Sequence, residues 1–163
     1  MAAQDWLDSK LGDHFDVKHV GRIGPGAQTE LRFLQRSIRW SAAGFTYQAD
    51  SKQVDKLIHI LDVDTCKSAL SPGTKATGQA RRDADELLDG TRASEARTGS
   101  GLSTYVSVDR PDRQYVTKTV MSSIATPSIL TEVRLRRLGR YLVGHRTLEF
   151  VYDYQDEHTD ITC

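Results

Sequence analysis

The chain has 163 residues, with 22 basic and 22 acidic side chains, five histidines and two cysteines, the size of one ordinary domain or of two small subdomains. A hydrophobic share of 38% beside 27% charged residues is on the polar side for a globular chain, so part of it is expected to stay unpacked or to pack against something outside it. Cys66 and Cys163 lie too far apart for a zinc finger or a disulfide scaffold, no apolar run approaches the ~18 residues of a membrane span, and the start lacks a secretion-signal layout; a soluble intracellular protein of cytoplasm or nucleus, or a fragment of one, is expected, with no membrane partner.

Trp6, Leu7, Leu11 and Phe15 recur at spacings of one and four, which predicts an amphipathic helix ending near Phe15. Phe15 to Val20 then largely alternates apolar and polar residues, as a half-buried strand does, until Gly21, Gly24, Pro25 and Gly26 stop it. This glycine-rich stretch lacks the Lys-Ser/Thr and helix of a phosphate loop and reads as a turn. Leu31, Phe33 and Leu34, then Ile38 and Trp40, then Phe45 and Tyr47 predict two strands joined by a turn in which Gly44 supplies a positive φ. Asp50 or Ser51 caps a helix through Val54, Leu57, Ile58 and Leu61.

Residues 71–94 are rich in Gly, Ser, Thr, Ala and charges and read as a mobile linker; the acids Asp83, Asp85, Glu86 and Asp89 simply keep it in water. Three helical segments follow, at about 94–108, at 112–125 after the Arg110-Pro111 break, and at 128–143 after Pro127. Gly144 closes the last, and Leu148, Phe150 and Tyr152 predict a final strand. The fold class is therefore α+β: a β-hairpin with flanking helices, a mobile linker, a small helical unit and a last strand. Charge is unevenly spread. Residues 128–146 hold five arginines against the single acid Glu132, whereas 147–163 hold five acids and no Lys or Arg. Metal-type clusters are poor: Asp62 and Asp64 beside Cys66 sit after a helix end, and His14 and His19 lack a third ligand.

Taken in order, these blocks resemble the reverse transcriptase of copia-type LTR retrotransposons. Phe15, Lys18 and Gly21 match the family's Phe-x-Met-Lys-Asp-Leu-Gly, Phe33-Leu34 and Gly44 its following hairpin, and Ser71-Pro72 its Ser/Thr-Pro. Arg97, Gly101, Tyr105, Arg110, Pro111 and Asp112 keep the spacing of Arg-x-x-x-Gly-x-x-x-Tyr-x-x-x-x-Arg-Pro-Asp, and Arg140, Tyr141, Leu142 and Gly144 match Arg-Tyr-Leu-x-Gly. Three departures stand out: residues 21–33 are several residues longer than usual, Gln35 replaces a glycine, and Ala96 replaces a tyrosine.

The resemblance implies that 1–70 is the end of the polymerase palm with a primer-grip-like hairpin, 95–146 a thumb-like helical unit, and 147–163 the connection to ribonuclease H. No Tyr-x-Asp-Asp occurs in the sequence, so the Mg²⁺ ions of the parent enzyme have no ligands in this chain and no catalytic residue or cofactor is assigned to it. What it implies instead is a grip on a template-primer, an RNA/DNA or DNA duplex, with the rest of the Pol polyprotein as partner. Phe33, Leu34, Gln35, Arg36 and Arg39 would be the primer grip, Arg36 and Arg39 meeting phosphate or base beside Trp40, with a solvated strand face as the alternative. Arg97 and Gly101 would lie on a small-residue helix against the duplex, with plain helix packing as the alternative. Arg136, Arg137 and Arg140 would present a basic helix face to backbone phosphates, against an ordinary solvated face. A non-enzymatic remnant acting as a small binding module is the rival to the whole reading.

Overall fold

The computed structural model describes residues 3–73 and 86–155. It is α+β: a four-stranded antiparallel sheet and five α-helices. In chain order these are α1 (Ala3–Gly12), β1 (Glu30–Phe33), β2 (Arg36–Ser41), β3 (Gly44–Gln48), α2 (Ser51–Ile60), α3 (Gly90–Ser107), a 3₁₀ turn (Pro111–Arg113), α4 (Gln114–Met121), α5 (Ile129–Gly144) and β4 (Glu149–Asp153).

α1 forms as its spacing predicts but buries nothing: Trp6 is 56% exposed and, just beyond the helix, Phe15 is 68% exposed. The strand expected at Phe15–Val20 does not form: among the described residues no strand pairs with it, and Phe15 and Val20 stay in solvent. The hairpin has one strand more than the sequence suggests. Leu34 and Gln35 both take positive φ, 49° and 66°, making a two-residue turn of the type that matches strand twist; neither residue is a usual choice there, which is why the turn is invisible in sequence. Gly44 has the expected positive φ, 156°, and a β-carbon there would run into the Tyr152 carbonyl of β4, so glycine also lets the last strand approach.

The sheet order is β1-β2-β3-β4, all neighbours antiparallel. Its register sets Leu31, Ile38, Tyr47 and Phe150 in one cross-strand row and Trp40, Phe45 and Tyr152 in another on the same face. The opposite face carries Glu30, Arg39, Thr46 and Val151. None of these strand residues joins the main core, which is helical: α2 contributes Val54, Leu57 and Ile58, α3 Ala93, Ala96 and Val106, α4 Val116 and Val120, and α5 Leu135, Leu138 and Leu142. Thus α2, N-terminal to the span read as linker, shares its core with the helices C-terminal to that span.

The C-terminal end of that span is helical. α3 starts at Gly90, Leu88 is buried, and the Asp89 carboxylate accepts from Arg92 N at 2.9 Å, so Asp89 is a helix cap and not a solubilising charge. Residues 74–85, including Asp83 and Asp85, lie outside the described residues.

Asp109–Arg113 joins the parts. Arg110, 1% exposed, donates Nε and Nη2 to the two Asp112 oxygens at 3.0 and 2.8 Å, and Nη1 to His145 O at 2.9 Å beyond α5. Tyr141 OH also donates to Asp112, at 2.9 Å, and its ring stacks on His145 at 4.3 Å. Asp109 accepts from Arg36 Nε at 2.8 Å and Tyr47 OH at 2.6 Å, tying the sheet to the same turn. Burial works to raise the Asp112 carboxyl, but the bonds and charge of Arg110, with the bond from Tyr141, outweigh it and hold the carboxyl below its usual range.

Two predictions follow from this packing. Asp112→Asn leaves the buried Arg110 charge uncompensated and is expected to cost about 3 kcal/mol in urea unfolding at neutral pH. Because the folded carboxyl lies below its unfolded value of about 3.9, its stabilisation is present above that pH and fades as pH falls through the folded value; the variant should lack that acid-side component. Gly101→Ala, with open space around it, should stabilise α3 by about 0.5–1 kcal/mol, whereas Gly139→Ala, whose β-carbon would sit 2.8 Å from Val63 Cγ2 and 2.9 Å from Leu61 Cδ1, should lose about 1 kcal/mol net. Thermal midpoints moving in the same direction for both would refute the packing described.

Candidate nucleic-acid interface

α5 divides its residues by helical period. Leu135, Leu138 and Leu142 enter the core, and Arg136, Arg137 and Arg140 line an open groove of about 480 Å³ on the other side. The second wall is Cys66 and Lys67 from the turn after α2, with Val133 completing the lining. This wall is bonded to α5 through Ala69 N to Arg140 O at 3.1 Å. Each arginine is braced by a protein oxygen: Arg140 Nε donates to Lys67 O at 2.9 Å, Arg137 Nη2 to Ser71 Oγ at 3.1 Å, and Arg136 Nη2 to Asp62 O at the long limit of 3.5 Å. Among the described residues the lining holds four cationic side chains and no carboxylate. Sequence reading found the arginines from charge density alone. It missed Lys67, because nothing local couples residue 67 to residue 140.

The other candidates stand elsewhere. Phe33 and Leu34 are about half exposed or more beside the β1–β2 turn, where Gln35 is the second turn residue. Arg36 is paired with Asp109 and largely buried, its guanidinium pushed above its already high ordinary value chiefly by that hydrogen bond, so its charge is used inside the fold. Arg39 lies on the opposite sheet face from Trp40 and spans Glu30 at 3.5 Å and Glu149 at 3.2 Å. Glu149, read as part of an acidic tail, is thus a β4 residue with its own cation. Arg97 donates Nη2 to Ala125 O at 3.2 Å, and Gly101 is exposed. Of the small residues around it, Gly99, Ser100 and Ser103 are buried; a β-carbon on Gly99 would meet Leu61 Cδ2 at 3.1 Å, which is helix packing.

A second groove, about 370 Å³, runs between sheet and helices along Tyr47, Asp109, Pro111 and Tyr152. Burial first, then the bond to Asp109, raises the Tyr47 phenol to about 12. Among the described residues no group of three or more His, Cys, Asp or Glu side chains comes together to hold a metal ion. No helix of the described residues is long and apolar enough to cross a membrane. No family model matches the chain, and no curated protein or solved structure does so either.

The Tyr47 shift gives a direct check. A phenol raised above its unfolded value of about 10 favours the neutral folded form, so its stabilisation is full below that pH and lost as pH rises toward 12. Alkaline titration by phenolate absorbance should contain a late component near pH 12 that disappears in Tyr47→Phe.

Proposed function

We propose that the chain is a piece of a copia-type reverse transcriptase that holds the template-primer duplex without taking part in the chemistry. The observation that carries this reading is the α5 groove, where Arg136, Arg137, Arg140 and Lys67 gather with no acid among them. Guanidinium groups braced by protein oxygens suit the phosphate backbone, which dominates affinity and carries no sequence information. The motif matches from Phe15 to Gly144 support the same assignment. The hairpin contributes less than the resemblance implies, since Arg36 and Arg39 already have carboxylate partners. No reaction step is assigned to the chain, because the carboxylate pair of the polymerase is not in its sequence.

A binding module without enzymatic context is the second reading, favoured by a specific feature: both α1 and the aromatic sheet face leave large apolar side chains such as Trp6, Phe33 and Tyr152 in solvent.

The test is salt dependence. Each phosphate contact releases roughly 0.9 of a counterion, so Arg136→Ala, Arg137→Ala and Arg140→Ala together should lower the slope of log K against log salt by up to about 3, alike for unrelated duplexes. Fluorescence anisotropy on the chain shortened to Gln155 keeps β4 while removing the last acids, Asp156, Glu157 and Asp160, as competitors. An unchanged slope would reduce these arginines to a solvated helix face.

A further inference from the structure

We propose that the α5 groove is a site for a linked-phosphate anion, two or more phosphates joined in a chain, rather than a surface that attracts isolated phosphate groups. The proposal deepens the preceding one and rests on the same groove. Its chemistry is that of a free oligophosphate; a nucleic-acid backbone offers the same phosphate oxygens, but as phosphodiesters of one charge each, separated by sugars.

Charge sets the number of phosphates. Arg136, Arg137, Arg140 and Lys67 bring four positive charges to the lining, and among the described residues no carboxylate in the lining offsets them. One phosphate carries about −1.5 to −2 at neutral pH. It would leave about half of that charge uncompensated, and a chain of two or three phosphates matches it.

Geometry sets the shape. Arg136 and Arg140 are one helical turn apart, about 6 Å along the axis, with Arg137 between them. The groove is concave, because the Cys66–Lys67 wall faces α5. An elongated anion lying along the helix therefore meets successive guanidinium groups. The bonds to Lys67 O and Ser71 Oγ each use one N–H and hold Arg140 and Arg137 before a ligand arrives, while Arg136 reaches Asp62 O at 3.5 Å. A guanidinium has five N–H donors, so each arginine retains several for phosphate oxygens. Prior bracing lowers the ordering cost of binding.

One lining arginine also carries an unpaired buried donor. Arg137 Nε is buried with no hydrogen-bond partner among the described residues. Buried donors are normally paired, and one left unmade is costly. Among the described residues Val133 and Cys66 are the only lining groups without charge, and no aromatic ring lines the groove for base stacking. Recognition in this groove is therefore of the phosphate chain and not of a base.

The test is titration calorimetry on the full chain with inorganic tripolyphosphate, with orthophosphate at equal ionic strength, and with a short DNA duplex. Saturable 1:1 binding of tripolyphosphate, at least tenfold tighter than orthophosphate and weakened at least tenfold in Arg136→Gln/Arg140→Gln, is expected. Equal affinity for the two anions, or no change in the variant, would overturn the proposal. A second readout needs no change in the groove: in a Cys163→Ser background, tripolyphosphate should slow alkylation of Cys66 at least threefold relative to orthophosphate, and an unprotected thiol counts against it. Duplex binding without tripolyphosphate binding would sink this inference and leave the duplex-grip reading standing. The reverse would keep the phosphate-chain site and remove the duplex, and binding of neither would end both.

Discussion

Two buried guanidinium groups and two carboxylates, held within Asp109–Arg113, fix how the helices and sheet meet. Arg110 and Arg113 are fully buried, and Asp112 is the acid bonded to the first of them. Arg113 makes a single bond, Nη2 to Ser103 O at 3.0 Å, and its Nε and Nη1 have no partner among the described residues. Burial first, then the nearby Arg110 charge, lowers its guanidinium to about 10, still protonated at neutral pH. A buried cation so poorly paired subtracts from stability. What the cluster supplies in return is geometry: Arg110 reaches the chain after α5, Arg113 reaches α3, and Asp109 one residue earlier takes Arg36 and Tyr47 of the sheet. The hydrophobic core orders the helices. It leaves the sheet's orientation open, because the sheet's apolar rows are not part of it, and the polar turn closes that gap.

The groove depends on the same economy of contacts. α5 anchors itself with leucines and displays arginines one residue away, so any force that fixes the buried face also fixes the cationic one. Gly139 belongs to this arrangement, since the absence of a β-carbon lets Leu61 and Val63 lie against α5. The chain after α2 then passes close enough for Ala69 to bond Arg140 O and for Lys67 to face the arginines. A feature of helix packing thereby builds one wall of the binding groove.

The polar composition has a structural counterpart in surface that is apolar but not covered. α1 has no buried residue and is tethered by Arg22, which bridges Asp5 at 2.7 Å and Asp8 at 3.4 Å, a solvent-exposed contact of small strength. The aromatic face of the sheet is held mainly to itself, through the Tyr47–Phe150 and Phe45–Tyr154 ring pairs and the bond from Trp40 Nε1 to Tyr154 OH at 2.6 Å. Both surfaces belong to segments that flank the helical core without entering it.

The sequence by itself determined the α+β class, α2 with a cap at Asp50 or Ser51, the start of α5 at Ser128 and the last strand, because caps, proline breaks and apolar periods act within a few residues. It also located the basic face of α5, since charge density is readable without coordinates. Only tertiary structure decided which arginines are available. Arg36 and Arg39 look as free as Arg136 in sequence, yet their carboxylate partners come from residues 109, 30 and 149. The missing strand at Phe15–Val20 and the Lys67 wall were equally hidden. Each depends on pairing or packing between segments distant along the chain, and local side-chain pattern carries no information about which distant group a residue will meet.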